Sequence, residues 1–282
     1  MEQVKTHAAE VASAERFEFG ANWARFLRKL DDERIAAAET SLREMLQVED
    51  LKGRRFLDIG CGSGLFSLAA RRLGAEVHSF DYDPASVDCA RYLRSRFFDG
   101  DGSWTIEEGS ALDPEYLAGL GQFDVVYSWG VLHHTGSMWP ALDLAAIPVK
   151  PGGQLFIAIY NDCGAESEKW VRLKKRYCEL PKAVKPLYAA AVMLPYEVRD
   201  AGGSLLRGEP GRYVRSWTHY KQQRGMSRWR DIIDWVGGYP YEYASTDALV
   251  KFYGERGFRP QKVKEQRGLG CNEIVFVREA EA

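Results

Sequence analysis

The sequence of 282 residues is poor in cysteine and lacks long apolar runs. Its five cysteines include no pair at the two-residue spacing that zinc sites and redox dithiols use. The longest apolar stretch, residues 184–196, is interrupted by Lys185, Pro186 and Pro195 and is too short for a membrane span of roughly 20 residues. The first twenty residues lack the apolar core of a signal peptide. These absences predict reduced thiols, no metal site, no membrane span and a cytoplasmic location.

The sequence also has little net charge, because 38 Lys and Arg stand against 40 Asp and Glu. Proteins that bind long nucleic acids usually carry a clear basic excess, so nucleic acid is not an expected partner. No internal repeat or low-complexity run occurs, which argues against solenoid and fibrous classes. With 45% hydrophobic and 28% charged residues, the composition is typical of a compact folded protein.

From residue 54 onward the sequence alternates between strand, turn and helix patterns, which is typical of βαβ units and a parallel sheet. Two helices are expected before it, between residues 17 and 46, with a break at Asp31 and Asp32. A helix over 247–256 precedes two last strands, which should pair antiparallel. The patterns predict an α/β fold with a seven-stranded, mostly parallel sheet, whose strands are 54–59, 76–80, 104–108, 123–128, 154–160, 258–264 and 273–278.

We expect three segments along the chain. Residues 1–50 form an N-terminal helical segment, residues 51–160 with 245–282 form a Rossmann-like domain, and residues 161–244 form an inserted helical cap on the substrate side. The cap is inferred because an interruption of about eighty residues is too long for a simple connection. It holds fifteen Lys and Arg against ten Asp and Glu, a local net charge of +5.

A glycine-rich turn follows the first strand in the sequence FLDIGCGSG. Gly60, Gly62 and Gly64 lack the Cβ atoms that would keep a ligand away from the backbone. Asp81 ends the second strand, where a carboxylate can accept hydrogen bonds from both ribose hydroxyls of a nucleoside. Asp58, just before the turn, would repel a pyrophosphate but would favour the amino group of a methionine moiety. The two acids therefore favour S-adenosylmethionine over a dinucleotide.

Four blocks, FLDIGCGSG, FDYDP, FDVVYSWGVLHH and KPGGQLFIAIYN, closely resemble those of class I methyltransferases of the ubiquinone and menaquinone methylase type. The resemblance extends over residues 54–160, about two-fifths of the chain. It implies a Rossmann-like methyltransferase fold with S-adenosylmethionine as cofactor, and it leaves the methyl acceptor open. The cofactor-binding residues that we expect are Asp58, Gly60, Cys61, Gly62, Gly64, Asp81, Tyr82, Ser110, Ala111, Ser128 and Trp129.

Within this set, the resemblance implies that Asp58 holds the amino group directly or through water and that Tyr82 lies against the adenine face. Ser110 and Ala111 would meet the adenine edge. Many similar proteins have Asp or Asn where this chain has Ser110, and serine is a shorter and weaker acceptor for the adenine amino group.

His133 and His134 follow the fourth strand, at the edge where open α/β sheets bind ligands. Methyl transfer is an in-line displacement on a carbon that a sulfonium already activates, so the protein chiefly aligns the acceptor and excludes water. A hydroxyl or protonated amine also needs a base, and histidine titrates near neutral pH. The alternatives for the pair are a catalytic base and loop histidines that only shape the pocket.

Aromatic and basic side chains are the candidates for contact with the acceptor. Trp23 either covers the cofactor or anchors its own helix, and the Gly-Gly turn at 237–238 forms either a pocket floor or a hinge. Basic residues of the cap either recognise an anionic, partly apolar acceptor or form a solvated face. The apolar residues 187–194 are either an entry surface for a lipophilic acceptor or buried core, and we expect core. The substrate candidates are Trp23, Tyr160, Arg224, Trp229, Tyr239 and Tyr241.

The leading hypothesis is an enzyme that methylates a small molecule at oxygen, nitrogen or sulfur, because a large cap can enclose a metabolite. The alternatives are a methyltransferase for tRNA or protein, which would use the basic cap, and a non-catalytic module that binds the nucleoside. A dehydrogenase fits poorly, since its turn would read GxGxxG. The sequence leaves both a monomer and a homodimer open.

Overall fold

The computed structural model describes residues 7–13, 16–17, 23, 27, 30–218 and 228–280. The chain divides into two compact units. The first, Phe19–Ser167 with Tyr241–Ala282, is called the sheet unit, and the second, Glu168–Pro240 with Met1–Glu18, is called the helical unit. This division differs from the three predicted segments, because residues 19–50 belong to the sheet unit and both ends of the predicted cap lie outside the helical unit. That residues 161–244 cover the site stays a prediction.

The sheet unit contains a seven-stranded sheet in the order β3-β2-β1-β4-β5-β7-β6. Strands β1 to β5 pair in parallel, and β7 pairs antiparallel with both β5 and β6. The α/β fold and the antiparallel last pair are thus confirmed. The strands are β1 Arg55–Ile59, β2 Glu76–Asp81, β3 Trp104–Glu108, β4 Phe123–Trp129, β5 Val149–Tyr160, β6 Phe258–Lys264 and β7 Cys271–Arg278.

The central strands read as continuous apolar runs because both faces of the sheet are buried. On β1, Phe56 packs into the core on one face, while Leu57 and Ile59 pack into the core on the other. Tyr127 and Val126 divide between the same two cores on β4. Strand β5 begins at Val149, five residues before the predicted start at residue 154, and its pairing with β4 shifts register near Phe123.

Helices flank the sheet, and several begin at the capping residues that the sequence offers. Asp83 accepts the N–H of Ala85, and Ser245 accepts the N–H of Ala248. A short helix between β3 and β4 was missed, although Asp113 caps it and Pro114 opens it. The helices of the sheet unit are Asp32–Leu46, Leu65–Arg72, Pro84–Phe97, Pro114–Gly119, Met138–Ala145 and Thr246–Gly254.

The helical unit is built from helices joined by partly buried polar and aromatic contacts. Arg228 forms an ion pair with Glu197 at 2.8 Å and lies 5.1 Å from the ring of Trp217, which links three of these helices. The expectation that residues 187–194 are core is wrong, since Leu187 and Leu194 are exposed. The helices are His7–Ala12, Ala165–Glu179, Lys185–Leu206, Pro210–Thr218 and Arg228–Gly237. Among the described residues, no helix is both long and apolar enough to cross a membrane.

Candidate cofactor site

The glycine turn leaves the end of β1 and is held by the neighbouring strand. The N–H groups of Gly60 and Cys61 donate to the carbonyl of Phe80, at 2.9 and 3.0 Å. Gly62 N–H donates to Oδ2 of Asp81 at 2.8 Å, and Asp83 N–H donates to Oδ1 of the same carboxylate at 2.9 Å. Asp81 therefore holds the turn through both of its carboxylate oxygens.

The glycines of the turn are required by conformation and packing. Gly60, Gly62 and Gly64 have φ values of 74°, 54° and 79°, in the left-handed region that favours glycine. A Cβ at Gly60 would overlap Val131, and one at Gly64 would lie 2.8 Å from the Cα of Ala90. At these two positions Val131 and Ala90 occupy the space in which a ligand was expected. A Cβ at Gly62 would lie 3.2 Å from the indole of Trp23.

Asp58 lies at the end of a buried chain of hydrogen bonds. Trp104 Nε1–H donates to Oγ of Ser79 at 2.9 Å, Ser79 donates to Oγ of Ser67 at 2.8 Å, and Ser67 donates to Oδ2 of Asp58 at 2.5 Å. Only 2% of Asp58 is exposed. Burial raises the pKa of Asp58 from 3.8 to about 7; the hydrogen bond from Ser67 lowers it, and the charge of Asp81 raises it.

Sequence reasoning missed the three residues that support Asp58. Ser67 lies on the helix after the turn, whereas Ser79 and Trp104 lie on β2 and β3. Their contact depends on the lateral order of strands, which no spacing along the chain reveals. The sequence of β2, EVHSFD, gave no signal either, because polar residues occur throughout the strand.

Cys61 and Ser128 have structural roles. Burial raises the pKa of the Cys61 thiol well above its usual value, with the charges of Asp81 and Asp58 adding to the effect. The thiol therefore stays protonated and fills space in the turn. Ser128 is fully buried and donates to the carbonyl of Ile59 at 3.1 Å, which ties β4 to β1.

The residues predicted at the adenine end gather after β2 and β3. Gly109 N–H donates to the backbone carbonyl of Asp81 at 3.1 Å, which brings the two loops together. The Ser110 hydroxyl already accepts the N–H of Leu112 at 3.1 Å, so it stabilises its own turn. Ala111 packs against the core, and Tyr82, directly after Asp81, is partly exposed. Trp129, at the end of β4, is exposed.

His133 and His134 form an aromatic cluster with Tyr160 and Tyr241. The ring centroids of His133 and His134 are 4.5 Å apart, and that of Tyr160 lies 4.1 Å from His133 and 5.5 Å from His134. Tyr241 stacks on Tyr160 at 4.8 Å, and Tyr243 follows at 5.9 Å from Tyr241. Four residues that were predicted separately, two as catalytic and two as substrate contacts, thus meet at the ends of β4 and β5.

The two histidines differ in their surroundings. His133 is fully buried, and its Nδ1 accepts the backbone N–H of Tyr160 at 3.3 Å. In the neutral ring this places the proton on Nε2. His134 lies at the margin of burial, 9% exposed. His133 is therefore engaged by the backbone, and both histidines are largely shielded from solvent.

Residues 242–244 strap the histidine segment to the sheet. Glu242 N–H donates to the carbonyl of His133 at 2.9 Å, and Ala244 N–H donates to the carbonyl of Tyr160 at 3.0 Å. The Glu242 carboxylate accepts the N–H of Met138 at 3.0 Å, at the start of the helix Met138–Ala145. Ser137, the residue at the cap position, makes no such side-chain bond. Burial raises the pKa of Glu242, while hydrogen bonds from the backbone N–H groups of Met138 and Gly136 lower it.

The remaining predicted substrate residues are divided between the two units. Trp23 lies beside Gly62, in the sheet unit. Tyr239 and Trp229 belong to the helical unit, where the Tyr239 carbonyl accepts the N–H of Phe17 at 2.8 Å. Arg224 lies outside the described residues. Within the described ranges, no group of three or more His, Cys, Asp and Glu is placed to hold a metal ion.

Comparison with known proteins agrees with this architecture. A family model for a methyltransferase domain matches residues 23–191. The ubiquinone biosynthesis O-methyltransferase of Sinorhizobium fredii is 34% identical over 120 residues, 42% of this chain and 46% of that protein. Its counterpart in Brucella ovis is 36% identical over 112 residues, 39% of this chain and 43% of that protein. The chain spans about half the length of these curated relatives.

Solved structures share the fold at low sequence identity. A magnesium protoporphyrin IX methyltransferase from Synechocystis PCC 6803 superposes with a TM-score of 0.53 at 16% identity, covering 92% of this chain and 95% of that chain. An O-methyltransferase family protein from Burkholderia thailandensis gives a TM-score of 0.54 at 15% identity, covering 97% and 67%. Both support the α/β architecture described above.

Proposed function

The chain belongs to the methyltransferase domain family, and we propose that it is an S-adenosylmethionine-dependent methyltransferase acting on a small molecule. The observation that carries the proposal is the placement of Asp58 and Asp81 at the ends of adjacent parallel strands, with the glycine turn beside them. One carboxylate is buried and the other is partly exposed, so the two offer different environments to the two ends of one ligand.

The residues present fit this cofactor. Asp81 ends β2 beside the glycine turn, and its carboxylate oxygens are acceptors of the kind that two ribose hydroxyls need. Ionised Asp58 is costly while buried, and a methionine ammonium nearby would offset that cost. Trp23, against Gly62, would wall the methionine end, and Tyr82 the adenine face. When bound, the cofactor supplies a methyl group on a sulfonium, ready for displacement.

On the acceptor side, we propose that Tyr160 and Tyr241 bind a planar or partly apolar acceptor and that His134 takes its proton. Names of the curated relatives, ubiquinone biosynthesis O-methyltransferases, favour a hydroxyl oxygen as the accepting atom. His133, whose Nδ1 is occupied by the Tyr160 N–H, positions Tyr160 and is not the base in this proposal. A cytoplasmic location accords with five cysteines that are all free thiols.

The first test is binding of S-adenosylhomocysteine by titration calorimetry. We expect Asp81→Asn to weaken binding at least about tenfold, because the loss of a charge-assisted hydrogen bond costs roughly 1.5–3 kcal/mol. Asp88→Asn is the matched control, since Asp88 lies on the next helix and is exposed. No binding by the folded wild-type protein, or equal affinities for both variants, contradicts the proposal.

The second test measures methyl transfer from radiolabelled S-adenosylmethionine into a cellular metabolite extract, with cellular RNA in a parallel reaction. We expect label in the small molecules, and His134→Ala should lower the rate roughly a hundredfold, the contribution of a general base. Its affinity for S-adenosylhomocysteine should be unchanged. Label in RNA alone would reject the small-molecule acceptor, and an unchanged rate in His134→Ala would reject this base.

A further inference from the structure

The helix Lys185–Leu206 carries an exposed row of aliphatic side chains, here called the apolar stripe: Leu187, Leu194, Val198 and Leu205. Their exposed fractions are 73%, 60%, 62% and 67%. Spacings of seven, four and seven residues place them on one face of the helix, over a length of about 27 Å. Leu206, at the end of the helix, is 90% exposed. Large side chains of this kind are seldom left in water as a continuous row without a binding partner.

The charged residues of this helix lie away from the apolar stripe. Glu197 accepts hydrogen bonds from Tyr213 and Arg228, and the guanidinium of Arg199 lies 5.7 Å from the ring of Tyr196. Lys185 lies 5.2 Å from the ring of Tyr177. Lys185 and Glu197 are thus in contact with other side chains, and no charged residue of the helix lies within the stripe itself.

The sequence around the apolar stripe is strongly basic. Residues 168–240 hold fifteen Lys and Arg against seven Asp and Glu, a net charge of +8, whereas the whole chain carries −2, which leaves −10 on the rest. Near the two ends of the stripe, Lys182, Arg207, Arg212 and Arg215 are all exposed. An aliphatic row together with a local basic excess is complementary to a surface that is apolar inside and anionic outside.

Other partners match these features less well. Two copies of the chain would bring two segments of +8 together, in either helix orientation, and the repulsion would oppose pairing. The phosphates of RNA would be attracted to the positive charge, but the leucine and valine side chains offer no aromatic face on which bases could stack. An anionic lipid bilayer is complementary to both features, because its phosphates can pair with the basic residues and its acyl chains can contact the aliphatic row.

We propose that the apolar stripe is a docking surface for the face of an anionic lipid bilayer. The helix lies along the membrane, with its leucines and Val198 entering the boundary between headgroups and acyl chains. Neighbouring lysines and arginines contact the lipid phosphates. The proposal concerns a surface of the helical unit and does not depend on the activity proposed above.

The test is sedimentation of the full chain with vesicles, half phosphatidylglycerol and half phosphatidylcholine, beside vesicles of phosphatidylcholine alone. We expect binding to the anionic vesicles that weakens as salt is raised. Leu187→Gln with Leu194→Gln should bind more than about tenfold more weakly, because each leucine contributes about a factor of ten to partitioning. Val198→Gln, a smaller change, should show an intermediate loss.

Val263→Gln is the matched control, since Val263 is an exposed aliphatic residue on β6 of the sheet unit, and it should bind like the wild type. All substituted side chains are exposed, so the temperature of thermal unfolding should change little. A variant with a clearly lower unfolding temperature is misfolded and is left out of the comparison. Absent binding by the wild type, or equal binding by the stripe variants and Val263→Gln, overturns the proposal. It is also overturned if light scattering shows a dimer that the stripe substitutions dissociate while vesicle binding is unaffected.

Discussion

At the scale of single residues, the environment of Asp58 decides its chemistry. Three effects act on its pKa: burial raises it most, the hydrogen bond from Ser67 lowers it, and the charge of Asp81 raises it. Since burial exceeds the hydrogen bond, the carboxyl group holds its proton to near neutral pH. The side chain that the sequence marks for a cation is thus the one for which the folded protein disfavours an uncompensated negative charge.

The stability of the protein should therefore depend on pH through Asp58. Because its pKa is about 7 in the folded state and about 3.8 when unfolded, the folded form holds a proton that the unfolded form has released between these values. Raising the pH through this window therefore lowers the free energy of unfolding, and above pH 7 the loss is complete. Urea unfolding at a series of pH values should show Asp58→Asn gaining stability relative to the wild type from pH 4 to 7.

Asp88→Asn serves as the control for this series, because an exposed aspartate in an ion pair with Arg91 has no comparable burial. Its stability difference from the wild type should stay constant over the same range. A constant difference for Asp58→Asn as well would show that Asp58 is ionised in the folded protein throughout.

At the scale of secondary structure, the helix Met138–Ala145 is capped from a distance. Its first turn leaves backbone N–H groups without partners inside the helix, and the carboxylate of Glu242 accepts the one from Met138. A carboxylate at this end also interacts favourably with the helix dipole. The cap comes from a residue 104 positions later in the chain, which ties the strap 242–244 to the start of this helix.

Glu242→Ala should consequently lower the free energy of unfolding by about 1–2 kcal/mol, the usual cost of losing a helix cap. Chemical denaturation of the full chain measures this loss. Glu265→Ala is the control, since Glu265 is exposed in the loop before β7, and it should change stability by less than about 0.5 kcal/mol. Equal effects of the two substitutions would mean that the carboxylate of Glu242 contributes nothing as a cap.

At the scale of the whole molecule, the sequence predicts the sheet better than it predicts the polar contacts. All seven strands were predicted, and the apolar runs of β1, β4 and β5 gave the strongest signal, because strands buried on both faces have a strong local signature. The support of Asp58 by Ser79 and Trp104 could not be predicted, since it depends on which strands become neighbours. The cap from Glu242 was hidden for the same reason.

The helical part of the chain was predicted less well than the sheet. Residues 187–194 have the composition of a core, and only the packing of the neighbouring helices shows that Leu187 and Leu194 face outward. Hydrophobicity along one helix identifies an apolar face without identifying what covers it. The ion pair of Arg228 could likewise not be predicted from the sequence, because its partner Glu197 lies 31 residues earlier.

The bonds that Asp81 makes to the backbone N–H groups of Gly62 and Asp83 have a thermodynamic consequence for ligand recognition. The site that we propose for a ribose is thus ordered during folding, so the entropy lost in ordering that loop does not weaken ligand binding. Association should then be limited by diffusion and orientation and not by a slow rearrangement of the turn.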